Sequence, residues 1–523
     1  MIGTRGNRNR EPMLMPDSGT FDLLVVGGGI NGAGIARDAA GRGLDVALCE
    51  QGDLGNYTSS ASTKLIHGGL RYLEYYEFGL VRKALLEREV LLGIAPHIIW
   101  PMQFVMPHVK ALRPAWMIRA GLFLYDHLGG SGSLPGSRGI ALHGHVAGGS
   151  LRPELKKGFV YSDCWVQDAR LVVLNAIDAA ERGATVWSRT RCVAAERRAD
   201  DWKVTLRSTI DGDEWTVHTK AIVNAAGPWV SELLNDTGGF ASRHRVHLVK
   251  GSHIIVPRLF EHEYAYIFQN TDRRVVFAIP YERDFTLIGT TDVPYTGDPA
   301  EARTSPEEIE YLCDAVNRYF AESVGPDDVV FTYAGVRPLH DDSESGSASA
   351  MSRDYSLDLD TRQAPVLTVL GGKLTTYRKL AVEAMDRLTP LLGGDGTGWT
   401  GRAPLPGGDI GEAGFDTFLA SLRRRYSWLP EEMAWRLARN YGTRVEGILA
   451  GAASLDELGH HFGGDLYEAE VRYLTQHEWA MTAEDVLWRR SKLGLQLTMD
   501  EQADVENRMA NGLAHPLPGT ASR

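Results

Sequence analysis

The stretch KLIHGGLRY, Lys64 to Tyr72, sets a histidine and an arginine four residues apart around a glycine pair. His67 can exchange a proton near neutral pH. Arg71 carries a permanent charge on a planar fork of donors that matches phosphate oxygens. A spacing of four would suit one face of a helix. Gly68 and Gly69 argue for a turn instead, because paired glycines weaken a helix. Such a turn holds a titratable group and a cation beside bare backbone.

A second chemical cue is GGGINGAG, which starts at Gly27 directly after the apolar run FDLLVV, Phe21–Val26. Gly27, Gly29 and Gly32 make G-x-G-x-x-G. The first glycine permits a tight turn, the second lets a pyrophosphate approach the backbone, and the third lets a helix pack closely on a sheet. Ala33, Gly34 and Ala36 continue the small face of that helix. The next apolar run, DVALCE, ends in Glu50, whose carboxylate suits ribose hydroxyls and would repel a 2′-phosphate. Strand, glycine turn, helix and strand form a βαβ unit with its anion site at the helix N-terminus. A dinucleotide site is predicted, and the fingerprint alone leaves FAD and NAD both open.

These residues need elements to position them. A helix is predicted over Leu171–Arg182, and AIVNAAGPW, Ala221–Trp229, reads as a buried strand ending in a glycine turn at Gly227. From His247 to Thr291 short strands separated by charged turns predict an antiparallel sheet. VLTVL, Val366–Leu370, leads into GGKLTTYRK and a helix running through Leu388. The glycine- and proline-rich piece Gly393–Asp409 reads as a linker to a helical region, where Thr482 with Asp485 and Thr498 with Glu501 have capping-box spacing.

The chain has 523 residues and a net charge of −12, which makes nucleic-acid binding a poor expectation. Its four cysteines are scattered, so neither a disulfide framework nor a metal site is expected, and a reducing compartment fits. The first twenty residues are polar and read as a tail rather than a secretory signal. The longest uncharged stretch, Val90–Val109, is broken by three prolines and is not expected to span a membrane.

The hydroxyl-rich loop after Glu50 and the late glycine turns resemble flavoproteins of the D-amino-acid-oxidase type. The block Thr58–Glu89 sharpens this to the aerobic FAD-dependent glycerol-3-phosphate dehydrogenase family. Ala225–Trp229, Val249–Pro257, Gly289–Asp292, Ala334–Leu339, Gly371–Glu383 and Arg113–Gly129 are similar too. The resemblance spans roughly 21–514. It implies an α/β plus α architecture. A Rossmann-like FAD-binding domain would comprise 21–70, 155–235 and 330–390. An antiparallel-sheet substrate and membrane-facing domain would comprise 71–154 and 236–329. A C-terminal helical domain would cover 391–514, with tails at 1–20 and 515–523.

The family's reaction is oxidation of sn-glycerol 3-phosphate to dihydroxyacetone phosphate, with electrons passing through FAD to a membrane quinone. An oxygen-using oxidase and a non-catalytic FAD-binding subunit are the alternatives. The resemblance implies that Arg71, Arg337 and Lys373, with Tyr72, hold the phosphate, and that His67 or His253 takes the alcohol proton. Ser59, Ser60 and Thr63 are expected along the pyrophosphate or ribityl chain. Gly372, Lys373, Leu374, Thr375 and Thr376 are expected at the flavin ring. A quinone acceptor requires contact with the bilayer. The cluster Trp116, Met117, Ile118, Leu122, Phe123, Leu124 and Tyr125, flanked by cations, is the expected interfacial helix of a peripheral protein on the cytoplasmic face. Dimerisation, a lid and partner docking remain open roles for the C-terminal region, so a homodimer is one expected arrangement.

Overall fold

A computed structural model describes residues 19–109, 113–130, 132–236, 246–272, 274–340 and 354–512. β1 (Thr20–Val26), α1 (Ile30–Gly41) and β2 (Val46–Cys49) form the expected βαβ unit. β1 and β2 run parallel, with Leu23 opposite Val46 and Val26 opposite Cys49. The strand Glu214–Asn224 lies parallel on the other side of β1, and Val366–Leu370 lies parallel beyond it. Both faces of β1 are covered, which is why it reads as an unbroken apolar run. Among the described residues this sheet has eight strands. α1 packs against the helices Asp168–Glu181 and Tyr377–Leu392. A methyl on Gly34 would sit 2.7 Å from the Tyr377 ring, so the small face of α1 is what lets the helices close up.

The second sheet, of ten strands among the described residues, begins with β3 (Leu65–Ile66). It continues through α2 (Phe78–Ile94), β4 (Ile99–Pro107), α3 (Ala115–Leu128), β5 (Arg138–Ala141) and β6 (Lys157–Val166). The strands Val246–Pro257, Ala265–Gln269, Val275–Tyr281 and Phe285–Gly289 join it as the expected antiparallel set. One junction differs: Ala265–Gln269 pairs parallel with β4.

β3, β6 and the strand Phe331–His340 fall in this second sheet, although 21–70, 155–235 and 330–390 assigned them to the dinucleotide domain. The cause is long-range pairing. Nine of ten β6 residues are buried, so its composition does not distinguish one sheet from the other. Its partner β4 lies about 60 residues away in sequence, beyond the reach of local periodicity.

The C-terminal helices Gly414–Arg425, Glu431–Tyr441, Glu468–His477 and Met499–Ala510 enclose their own apolar core. Thr498 and Glu501 form the expected capping box. The linker is strapped down rather than loose: Trp399 donates to the Asp38 carbonyl at 3.2 Å, and Arg182 stacks on its ring. The segment Asp485–Arg490 braces the whole molecule. Arg489 and Arg490 both reach Asp53, at 2.7 and 2.8 Å, and Trp488 stacks on Phe331 at 4.0 Å.

Candidate active site

A cavity of about 770 Å³ is lined from both sheets. The turn after β1 supplies Gly27 and Gly29, the first turn of α1 supplies Asn31, and Glu50 stands at the wall just after β2. A methyl on Gly27 would come within 2.5 Å of the Ala225 carbonyl, and one on Gly32 within 1.8 Å of the Gly27 carbonyl. Only glycine fits at either place, and Gly27 also has φ +109. Gly32 does not line the cavity; it serves the packing of helix on turn. Glu50 accepts from Gly28 N at 2.7 Å and Gly52 N at 2.8 Å, while burial pushes its carboxyl up to about 7.

Ser59 lines the cavity and accepts from Ile30 N at 3.0 Å, so it also caps the first turn of α1. Ser60 is turned away, its hydroxyl directed at the Tyr57 carbonyl at 3.3 Å. Gly227, Gly372, Leu374 and Thr375 line the cavity; Thr376 is buried behind it. Gly371 and Gly372 take φ +72 and +104, and a methyl on Gly372 would meet Asn31 at 2.9 Å. Asn31 Nδ2 donates to the Gly371 carbonyl at 3.2 Å, tying the first glycine turn to the last. Its Oδ1 is buried on the cavity wall with no partner among the described residues. Bare glycine backbone at a helix N-terminus, a carboxylate at the β2 end and an acceptor lacking a donor fit a bound FAD.

Arg71, Tyr72, Arg337 and Lys373 line the same cavity. Gly69, in the left-handed region, starts the 3-10 turn Leu70–Tyr75 that carries Arg71 and Tyr72. This is the turn expected in place of a helix. Lys373 Nζ stands 3.8 Å from the Tyr72 ring centroid. Arg337 is held by Asp292 at 2.6 Å and by Thr290 Oγ1 at 3.2 Å. Gly251 makes room for it, since a methyl there would lie 2.6 Å from Arg337 Nη2. Three blocks distant in sequence thus bring their cations to one cavity.

The two histidines separate. His67 lines the cavity, and burial together with the charges of Lys373 and Arg88 pushes it down to about 4. His253 is fully buried and does not line the cavity. Its Nε2 lies 3.0 Å from Thr63 Oγ1, and its ring stacks on Tyr333 at 4.7 Å. Burial, with Arg337 and Lys64, holds it well below its ordinary range. Thr63 lines the cavity in front of it.

Residues that sequence reasoning missed are Asn31, Thr290 and Asp292. The last two sit in the GTTD block, where a polar cluster before an arginine-bearing strand was the available signal. The interfacial cluster divides. Trp116 is 71 % exposed and Met117 and Phe123 are also outward, but Leu122 and Tyr125 are buried. Residues 122 and 125 share the face that packs on Val81 and Leu85, so Leu122 belongs to the core rather than to an outer surface. Tyr75, Tyr76 and Phe78, next to the Arg71 turn, are exposed as well.

Comparison with known proteins agrees with this geometry. Residues 22–378 match the family model of FAD dependent oxidoreductases, and 399–518 match the C-terminal domain of alpha-glycerophosphate oxidase. A glycerol-3-phosphate dehydrogenase of Pseudomonas aeruginosa is 55 % identical over 93 % of this chain and 94 % of its own. A D-erythritol 1-phosphate dehydrogenase of Brucella abortus is 54 % identical over 94 % and 97 %. A glycerol-3-phosphate dehydrogenase from Bacillus halodurans, solved with FAD, superposes with a TM-score of 0.74 at 28 % identity, covering 94 % of each chain. The chain therefore belongs to the FAD-dependent oxidoreductases, in the branch that carries a glycerophosphate-oxidase type of C-terminal domain.

Proposed function

We propose that the protein oxidises sn-glycerol 3-phosphate to dihydroxyacetone phosphate and passes the electrons to a membrane quinone. The observation that carries this reading is the convergence of Arg71, Arg337 and Lys373 on one cavity that also holds His67 and the glycine turns. A phosphate dianion needs fixed cations, and the Asp292-braced fork of Arg337 presents its remaining N–H groups in a set orientation. The names of the P. aeruginosa and B. halodurans proteins support the same substrate.

FAD, when bound, supplies the two-electron acceptor for the hydride that leaves C2 of the alcohol. The residues of the chain do the rest. Arg71, Arg337, Lys373 and Tyr72 hold the phosphate and so fix where C2 lies. His67 is neutral at physiological pH and takes the hydroxyl proton. The incoming dianion offsets the Lys373 charge that depresses His67, so the ring's proton affinity rises as substrate binds. His253 fixes Thr63 from behind the wall and does not itself meet the substrate.

The exposed aromatic side chains of α3 and of the Tyr75–Phe78 segment support the reading of a peripheral protein that rests on the membrane surface. Among the described residues no helix is long and apolar enough to cross. A second reading is a four-carbon polyol phosphate as substrate, favoured by the near-equal similarity to the B. abortus enzyme. Anaerobic rates of flavin bleaching by sn-glycerol 3-phosphate and by D-erythritol 1-phosphate decide between them. The first substrate is expected to be faster at least tenfold in rate over half-saturating concentration. Reoxidation by a quinone analogue, against peroxide release in air, separates the dehydrogenase from an oxidase.

A further inference from the structure

The peptide groups on both sides of His67 are held by side chains from different parts of the molecule. His67 N donates to Thr375 Oγ1 at 3.1 Å, on the late glycine turn. Gly68 N donates to the hydroxyl of Tyr125 at 2.8 Å. That hydroxyl donates in turn to the Asp163 carboxylate, 2.8 Å from both oxygens. Arg88 closes the set, reaching Asp163 at 2.8 Å and the Ser162 carbonyl at 3.0 Å. The clamp therefore joins α3, β6 and α2 beneath one loop. Tyr125 and Asp163 are each only 2 % exposed. Gly68 is required for the approach, because a methyl there would lie 2.7 Å from the Tyr125 oxygen and 2.6 Å from Leu85.

We propose that Tyr125, braced by Asp163 and Arg88, is a positioning residue that sets the His67 ring for proton transfer. A buried hydroxyl that both accepts from a loop amide and donates to a fixed carboxylate leaves that loop one orientation. A core tyrosine could be replaced by phenylalanine at little cost if packing were its only role. Here the replacement takes away one of the two acceptors of Gly68 N, leaving it the Asp163 carboxylate, which has lost its own tyrosine donor, and so loosens the peptide plane that carries His67. The cations of the site stand outside the clamp, so substrate capture and proton transfer become separable. This inference rests on the assignment of His67 as the proton acceptor.

The test uses full-length holoenzyme carrying Tyr125→Phe. Wild type must first bleach with sn-glycerol 3-phosphate under anaerobic conditions; failure there removes the proposed function itself, before the variant is read. For Tyr125→Phe the maximal bleaching rate is expected to fall about tenfold. FAD content, the half-saturating substrate concentration and the rate of reoxidation by a soluble quinone analogue are expected to stay within about threefold. A purely structural tyrosine would leave the bleaching rate unchanged, or lower both half-reactions together, and either result overturns the proposal. If Tyr125→Phe does not fold, Asp163→Asn must slow bleaching at least about threefold with reoxidation unchanged, or the proposal falls.

Discussion

Arg337→Lys separates charge from geometry at the proposed phosphate site. The guanidinium is gripped on one side, Nη1 by Asp292 at 2.6 Å and Nη2 by Thr290 at 3.2 Å. Its remaining donors stay in a plane set by those two bonds. Lysine keeps the positive charge but offers one compact ammonium, which must satisfy Asp292 and a phosphate oxygen from a single point. At least one charge-assisted bond to the phosphate is lost, worth roughly 1.5–3 kcal/mol. That corresponds to a fall of about tenfold to 150-fold in kcat/KM. Arg337→Gln should cost more, because it removes the positive charge as well as the fork. The assay is anaerobic flavin bleaching over a range of sn-glycerol 3-phosphate concentrations, with dithionite reduction as the control. A lysine variant within about threefold of wild type in kcat/KM, with its flavin content intact, would refute the assignment.

Three further outcomes follow from the same geometry. Gly32→Ala puts a methyl 1.8 Å from the Gly27 carbonyl, so α1 and its turn must part; purified protein should lose most of its flavin absorbance, while Gly93→Ala, in open space on α2, should keep it. His67 is held at about 4, below its ordinary 6.5, so the folded state binds fewer protons between those values. Stability is then fully present above about 6.5 and lost as pH falls toward 4, by about 3 kcal/mol at most, and His67→Gln should show a smaller drop in melting temperature from pH 7 to pH 5 than wild type. Lysine at Trp116 or Phe123 should abolish co-sedimentation with vesicles and leave melting unchanged, whereas Leu122→Lys should unfold the protein, since Leu122 is fully buried and Trp116 is 71 % exposed.

The parts of the site that were legible in sequence are those built from contiguous residues. G-x-G-x-x-G followed by a helix and a second strand is one local unit, and each glycine meets the atoms its role requires. The Gly68–Gly69 pair forced a turn, and the 3-10 segment Leu70–Tyr75 is that turn. What escaped depends on pairing at a distance. β6 is buried along nine of its ten residues and the strand 331–340 is mixed in composition, so neither pattern told which sheet receives it. His253 and His67 look alike as residues; only the wall formed by Thr63 and Tyr333 puts one behind the cavity. Arg88, Tyr125 and Asp163 share no motif, and the fold alone brings them under Gly68. The interfacial cluster failed at Leu122 because composition marks an apolar helix but not which stripe its neighbours cover.

The most direct test of the central claim is one anaerobic titration of the purified, FAD-loaded protein with sn-glycerol 3-phosphate, followed by visible absorbance. The oxidised flavin band should bleach fully, with dihydroxyacetone phosphate formed in a one-to-one ratio to flavin, and a quinone analogue should then restore the band. A band that persists at saturating sn-glycerol 3-phosphate, in protein whose flavin dithionite still reduces, would contradict the assignment.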